Sequence, residues 1–128
     1  MVQQITKGIK ISVKTKFEGS VERNQILYHA FSYFVTILNT SENTVQLTDR
    51  FWKILDSLNH IEIVEGEGVI GQQPILKPLD SYTYKSGSYL KSTMGAMSGF
   101  YTMTNLDTQE NFKVAIPTFQ LIANVSSN

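Results

Sequence analysis

The chain contains no cysteine among its 128 residues. Without a thiol it can form no disulfide, no zinc–thiolate or iron–sulfur site and no cysteine nucleophile. Its 11 basic residues are balanced by 11 acidic ones, and this lack of net charge argues against a nucleic-acid binder, which needs a basic surplus. No apolar run approaches the roughly 20 residues of a membrane-spanning helix, and the first residues do not resemble a signal peptide. We expect a cytoplasmic protein that neither enters a membrane nor binds nucleic acid.

Charged residues are also few. They make up 17% of the chain, and aromatic residues 11%, against roughly 25% charged residues in ordinary domains. This composition favours short, half-buried strands over long solvated helices. The length fits one domain. We therefore expect a single domain over residues 1–128, with an ordered core over residues 8–121 and a short polar C-terminal tail.

The clearest strand pattern covers residues 9–17, where apolar and polar side chains alternate. A period of two puts Ile9, Ile11, Val13 and Phe17 on one buried face and the intervening lysines on the solvent face. Lysines along a solvent face are typical of an edge strand, because their charge discourages unwanted pairing. A basic binding stripe is the alternative interpretation of the same lysines.

The next apolar segment, Ile26–Asn39, follows a polar stretch over residues 18–25. It is apolar on both faces, which is typical of a central strand that is covered on both sides. A turn is predicted over residues 39–43.

The chain then returns through Val45–Asp56, where the alternating pattern slips by one residue near residues 49–51. A slip of this kind indicates a β-bulge within a strand. A helix over residues 48–58 is the competing interpretation, because the apolar positions there partly fit a helical stripe.

The second half contains shorter strand patterns separated by turns and by three prolines. A hairpin turn is predicted at residues 106–109. Frequent short strands with intervening turns indicate an antiparallel β-sandwich. The predicted strands of this half are residues 60–64, 81–84, 100–105 and 110–116.

A glycine motif of the form GxGxxG contains Gly66, Gly68 and Gly71. A dinucleotide-binding fingerprint would have to open a helix and be followed by an acidic residue about 20 positions later. Here Pro74 follows within three residues, so no Rossmann site is expected. We interpret the motif as a connection whose backbone needs positive φ or close approach. An anion or nucleotide contact is the alternative, although Glu67 brings negative charge to the same place.

The only histidines are His29 and His60. His29 falls among aromatic residues within a predicted strand, where a hydrogen-bonded structural histidine is expected. His60 would share a strand face with Glu62 near other acidic residues. This group is interpreted either as a solvent-exposed strand edge or as a site for a cation. No serine nucleophile motif is present, and we expect a protein that is not an enzyme and has no metal, catalytic residue or cofactor.

Arg50 and Trp52 would point to the same face of an extended segment. Trp52 is expected in the core, with Arg50 covering it or pairing with a carboxylate. Both residue types also dominate the energetics of binding interfaces, so both are candidate binding residues.

Taken in order along the chain, these motifs closely resemble the ApaG family. The resemblance covers residues 8–121, nearly the whole chain, and its collinear order makes it more specific than any single motif. The motifs that carry it are Arg50-x-Trp52, Gly66-Glu67-Gly68-Val69-x-Gly71-x-Gln73-Pro74-x-Leu76-x-Pro78, Tyr84-x-Ser86-Gly87, Leu90-x-Ser92, Gly95-x-Met97-x-Gly99-x-Tyr101 and Phe112-x-Val114-x-Ile116-Pro117-x-Phe119-x-Leu121.

The resemblance implies a β-sandwich of the immunoglobulin or fibronectin type III kind. It also implies a small bacterial protein with a label linking it to cobalt and magnesium resistance or efflux. Similar domains in eukaryotic F-box proteins and in a polymerase-delta-interacting protein look like protein-interaction modules. Three positions depart from the family pattern: Leu79 replaces a glycine, Ser88 a frequent cysteine and Thr93 a frequent proline. These departures put loop-specific functions in doubt rather than the fold.

We therefore expect a non-enzymatic binding module, accessory at most to cobalt or magnesium homeostasis. Its partner is expected to be another protein, and a homodimer is open. The alternative is a small-ligand sensor that binds a divalent cation, pyrophosphate or a nucleotide at the glycine motif. Loops over residues 66–74 and 84–99 are the expected recognition surface, because loops on a rigid sandwich often carry binding. The candidate binding residues are Gly66, Glu67, Gly68, Gly71, Gln73, Arg50 and Trp52.

Overall fold

A computed structural model of the chain describes residues 1–57 and 61–124. Within these residues the chain forms nine strands and no helix. The strands are β1 (Val2–Thr6), β2 (Ile9–Arg23), β3 (Ile26–Asn39), β4 (Val45–Asp56), β5 (Ile61–Glu67), β6 (Ile75–Leu76), β7 (Ser81–Leu90), β8 (Met94–Asn105) and β9 (Asn111–Ile122).

The strands form two antiparallel sheets that face each other across one apolar core. The first sheet has the order β1-β2-β3-β7, and the second has the order β5-β4-β8-β9, with β6 paired to β4. The antiparallel β-sandwich predicted from the strand patterns is thus confirmed. Alternating residues of both sheets supply the fully buried side chains, among them Ile11, Val35, Leu47, Tyr101 and Leu121.

The expectation that residues 9–17 form an edge strand is wrong for residues 9–13 and correct beyond them. The inner face of β2 is buried as predicted at Ile9, Ile11 and Val13, but β1 pairs with residues 9–13 and occupies the edge there. The short β1 precedes the first recognisable alternation and was missed because its side chains are mostly exposed.

The polar stretch over residues 18–25 belongs mostly to β2. β2 continues to Arg23, past a bulge between Phe17 and Gly19. The chain then reverses at Asn24 and Gln25, which have φ values of 51° and 66°. Two central residues with positive φ are typical of a type I′ turn, which matches the twist of a two-residue hairpin.

The segment Ile26–Asn39 is a central strand, as predicted. Its outer row, which includes Phe34 and Leu38, is only half-buried because no further layer covers that face. Val45–Asp56 is a strand and not a helix. Its bulge lies between Leu47 and Asp49, slightly before the predicted position.

The later strands are longer than predicted. Residues 81–84 and 100–105 are parts of β7 and β8, so the expected recognition loop over residues 84–99 is mostly paired strand. The turn at residues 106–109 is confirmed. Pro117 lies in the edge strand β9 at a bulge, where a proline removes no needed ladder hydrogen bond. His60 lies outside the described residues, and β5 is described from Ile61.

The two lateral sides of the sandwich differ. On one side β9 packs against β1 and β2, and the amide of Ala115 donates to the hydroxyl of Thr6 at 3.3 Å. On the other side the sheets end in β7 and β5, which border an open cleft.

Candidate binding cleft

The cleft between β5 and β7 has a volume of about 510 Å³. It is bounded at one end by the loop over residues 68–73, which we call the glycine loop. Its lining joins aromatic, hydroxyl and charged side chains, including Tyr33, Arg50, Trp52, Ile54, Glu62, Val64, Ile70, Tyr84, Ser86, Ser88 and Tyr89.

The cleft exists because small or polar residues occupy inward positions of the two border strands. On β7, Ser86 and Ser88 pair with the buried Tyr33 and Phe31 of β3 and so lie on the inner face. On β5, Gly66 pairs with Arg50. A sandwich normally fills such positions with interdigitating apolar side chains. The small serine side chains leave this side unfilled, whereas the guanidinium of Arg50 lies over Gly66, 3.1 Å from where a Cβ atom would be.

Aromatic rings form the inner wall of the cleft. Trp52 is 3% exposed, and its ring centre lies 5.3 Å from that of Tyr33. The hydroxyls of Tyr84 and Tyr101 hydrogen-bond to each other behind this wall. Burial raises the pKa of Tyr33, Tyr84 and Tyr101 above the usual tyrosine range, so all three remain neutral at physiological pH.

Arg50 lies at the glycine-loop end of the cleft. Its Nη1 donates to the carbonyl oxygens of Glu67 at 2.9 Å and Gly68 at 3.1 Å, so this group bonds to backbone carbonyls rather than to a carboxylate, which was one of the two predicted arrangements. In the described part of the chain no buried side-chain nitrogen lacks a partner. Arg50 lines the cleft, so its positive charge lies where an acceptor on a ligand can meet it.

The glycine loop reverses the chain in a tight turn. The amide of Val69 donates to the carbonyl of Gln72, and the amide of Gln72 donates back to Val69. The two central residues, Ile70 and Gly71, have φ values of 47° and 72°, as in a type I′ turn. An isoleucine in the left-handed region is unusual, because its β-branched side chain crowds the backbone there.

Gly68 shows why the motif needs glycine. Its φ is 63°, and a Cβ atom at this position would lie 2.2 Å from the carbonyl oxygen of Gln72. Its amide donates to Thr48 at 2.7 Å, and the side chain of Gln73 also donates to Thr48, at 3.0 Å. The prediction of positive φ and close approach in this motif is confirmed.

The acidic residues near the motif do not form one cluster. Glu62 faces the cleft, whereas Glu65 and Glu67 occupy the alternate positions of β5 and point to the other face. Among the described residues, no group of three or more His, Asp or Glu side chains could hold a metal ion. His29 is buried and its Nδ1 lies 2.8 Å from the hydroxyl of Ser20, as expected for a structural histidine.

A smaller depression of about 260 Å³ continues the cleft toward the end of β7. The two share Ile54, Glu62 and Tyr89 and therefore form one groove. The continuation adds Tyr28, Asp56, Leu90 and Lys91 to the lining.

The candidate residues from the sequence divide into two groups. Arg50, Trp52 and Gly71 line the cleft, whereas Gly66, Glu67, Gly68 and Gln73 shape or hold the glycine loop. Sequence reasoning placed residues 84–99 on the recognition surface but as a loop, and it did not single out the side chains of β7 that line the opposite wall. The tyrosines and serines at every second position of β7 were the available signal, and the lining residues are Tyr84, Ser86 and Ser88.

Comparison with known proteins decides the family. The model of the ApaG domain matches residues 19–105. The chain belongs to the ApaG family. It is 40% identical over 124 residues to Protein ApaG of Brucella canis, and the alignment covers 94% of this chain and 92% of that protein. Protein ApaG of Methylocella silvestris is 41% identical over 121 residues, with the same shares covered.

Two solved structures of similar sequence have the same fold. A structural genomics target matches with a TM-score of 0.86 and 32% identity over 91% of this chain and 88% of that one. A Bordetella pertussis protein described as ApaA matches with a TM-score of 0.80 and 30% identity, over 92% of this chain and 95% of that one. None of the described residues belongs to a helix long and apolar enough to cross a membrane.

Proposed function

We propose that this ApaG-family chain is a non-enzymatic binding module that captures a segment of another protein in the cleft between β5 and β7. The observation that carries the proposal is the open side of the sandwich, where inward serines leave about 510 Å³ beside Trp52 and Arg50. Tryptophan, tyrosine and arginine are the residue types that dominate binding energy at protein interfaces. The recognition surface thus moves from the expected loops to a groove between two strands.

The chemistry of the lining supports binding rather than catalysis. Catalytic acids and bases need pKa values near the working pH, but burial moves Tyr33 and Tyr84 in the opposite direction, toward a permanently neutral state. His29 bonds to Ser20 at another place in the fold. The cleft therefore offers shape, aromatic surface, one cation at Arg50 and one carboxylate at Glu62, which are features that recognition requires.

The alternative of an anion site on the glycine loop is less favoured by the contacts. The amides of Gly68, Val69 and Gln72 already donate to carbonyls of the chain itself, whereas a phosphate-binding loop presents its amides to the ligand. A role in cobalt or magnesium homeostasis would then act through the captured protein. We also propose that the chain is cytoplasmic and that its sandwich is of the immunoglobulin or fibronectin type III kind. Both proposals rest on the sequence arguments above.

The test is a cleft-filling substitution. In Ser88→Phe an aromatic ring occupies the space beside Trp52, and we expect loss of the proteins captured from a lysate by the immobilised wild-type chain. Ser81→Phe is the matched control, because Ser81 is an exposed residue on the same strand at an outward position. Circular dichroism should show that both variants fold.

If the Ser88→Phe variant captures partner proteins as well as the Ser81→Phe variant does, the cleft is not the binding site. For the small-ligand alternative, Mg²⁺, Co²⁺ and pyrophosphate are titrated into the wild-type chain by calorimetry. Saturable heat that Ser88→Phe leaves unchanged and Gly68→Ala abolishes would place function on the glycine loop instead.

A further inference from the structure

Four strands lie at the sheet edges of the described chain: β1, β7, β5 and β9. β2 adds a free edge beyond Val13, where β1 no longer pairs with it, and this part of β2 is protected by charged side chains and a bulge. An edge strand presents unpaired N–H and C=O groups, so it can pair with a strand of another molecule. Natural proteins prevent such pairing with short strands, prolines, bulges or charged side chains.

Three of the four edges carry such protection. β1 is only five residues long and lies against β9. β9 contains Pro117 and a bulge. β5 carries three glutamates, Glu62, Glu65 and Glu67, along seven residues.

The fourth edge, β7, carries none of these features. It is ten residues long, contains no proline and has one charged residue, Lys85. The ammonium of Lys85 lies 5.6 Å from the ring centre of Phe34 on the neighbouring strand, so this charge lies over the sheet face. In the described chain β7 pairs only with β3. The unprotected edge is also one of the two edges that border the cleft.

We propose that β7 is a docking strand. An extended segment of the partner protein pairs antiparallel with its free edge and points alternate side chains into the cleft. This inference rests on the proposed function and specifies the form of the captured segment. Main-chain hydrogen bonds supply affinity in this mode of recognition, and pockets for alternate side chains supply specificity.

The charges of the cleft specify the order of those side chains. Arg50, Trp52 and Ile54 follow one another on the inner face of β4, and Glu62 pairs with Ile54. The cation and the carboxylate are therefore about four residues, or roughly 13 Å, apart along the strand direction. An extended segment spans the same distance between positions i and i+4. It would place a carboxylate at Arg50, an apolar side chain at Trp52 and a cation at Glu62.

The direction of β7 orients the segment. β7 enters the cleft with Tyr84, which lies within electrostatic range of Arg50, and leaves it with Tyr89, which shares the groove with Glu62. An antiparallel partner therefore begins at the Glu62 end. Antiparallel pairs are the commoner kind, and β3 already pairs with β7 in this way. The expected motif, from the N-terminus, is cation–x–apolar–x–carboxylate.

The probe is a blocked nonapeptide, Thr-Val-Lys-Thr-Phe-Thr-Glu-Val-Thr, titrated calorimetrically into the full chain. Two derivatives carry backbone N-methyl groups on alternate residues, either on Lys, Phe and Glu or on the threonines between them. Only one of these sets of N–H groups can face β7. We expect one derivative to bind at least about ten-fold more weakly and the other within about three-fold of the parent, because only one loses ladder hydrogen bonds.

Charge reversal tests the side-chain order. Glu62→Lys should weaken the parent peptide by roughly three- to five-fold, the usual range for a partly exposed ion pair, and a peptide with glutamate in place of lysine should regain that loss. Glu65→Lys is the matched control, because Glu65 lies on the same strand and faces away from the cleft. The peptide with lysine and glutamate exchanged should bind the wild-type chain more weakly than the parent.

Three results would overturn the inference: no binding of the parent peptide, equal binding of both N-methylated derivatives, or a β7–β7 homodimer in sedimentation that excludes the peptide. These outcomes are separable from failure of the proposed function. If the peptides fail while Ser88→Phe still abolishes capture, the cleft binds a partner in another form. If Ser88→Phe leaves capture intact, the cleft itself is not the site.

Discussion

The two lateral sides of this sandwich are both bordered by antiparallel strands, but the space between the two sheets is filled on one side and open on the other. On the closed side, β9 packs against β1 and β2, and buried apolar residues such as Phe119 and Leu121 fill the space behind it. On the open side, Ser86 and Ser88 occupy the equivalent inward positions of β7, and a cleft takes the place of core. In this account the closed side contributes to the stability of the fold, and the open side provides the binding site.

The first prediction concerns the closed side, where the largest effect on stability is expected. Leu121 is fully buried, and Leu121→Ala should lower the free energy of unfolding by about 2–5 kcal/mol through lost burial and a residual cavity. Urea denaturation measures this loss. Ile122→Ala at the exposed neighbouring position should cost much less. Binding by the folded fraction should be unchanged, and an equal loss of binding would show that the two sides are not independent.

The second prediction concerns the wall between the core and the cleft. Tyr101→Phe leaves the buried Tyr84 hydroxyl without its partner, which should cost about 1–3 kcal/mol of stability. Replacing both tyrosines by phenylalanine should restore part of this loss, because neither hydroxyl is then buried unpaired. A double variant that is less stable than the single one would contradict this account. It would show that the two hydroxyls contribute to stability by more than the hydrogen bond they make with each other.

The same tyrosines predict a pH dependence. Burial holds the folded-state pKa of Tyr84 and Tyr101 above the ordinary value of 10.0, so the unfolded chain loses these protons first. Their contribution to stability is complete below about pH 10 and falls as the pH rises further. Denaturation midpoints between pH 8 and pH 11 should therefore decline less steeply in the double phenylalanine variant than in the wild-type chain.

The third prediction, with the smallest effect, concerns the rim of the cleft. Ile70 holds a left-handed backbone conformation, and Ile70→Asn converts the turn to Asn-Gly, the preferred type I′ pair. Stability should rise by about 1 kcal/mol as this strain is relieved, while peptide binding should weaken because Ile70 lines the cleft. Gln25→Gly relieves a similar turn in the β2–β3 hairpin and should stabilise the chain without affecting binding.

Sequence reasoning predicted best where apolar alternation was strong. The bounds of β3 and β4, the hairpin at residues 106–109 and the need for glycine at Gly68 were all recognised. In each case the local pattern and the final environment agree, because a buried face requires apolar side chains and a left-handed turn favours glycine.

Sequence reasoning failed for strand segments that have no continuous row of apolar side chains facing the core. The polar second half of β2 and the exposed β1 lack an apolar face, so periodicity does not reveal them. The inward serines of β7 made residues 84–99 resemble a loop, although those same serines create the cleft. The inward serines of β7 thus create the cleft and also weaken the strand pattern in the sequence. Hydrophobic periodicity detects residues that pack in a core and does not detect residues that bind a partner.

The most direct measurement uses Trp52, the only tryptophan of the chain and part of the cleft wall. Its fluorescence is recorded while the cation–x–apolar–x–carboxylate peptide is added to the wild-type chain and to Ser88→Phe. If an extended segment occupies the cleft, the emission of the wild-type chain changes saturably and that of Ser88→Phe does not. An unchanged emission in the wild-type chain, or the same saturable change in both chains, would contradict the assignment of the open side as the binding site.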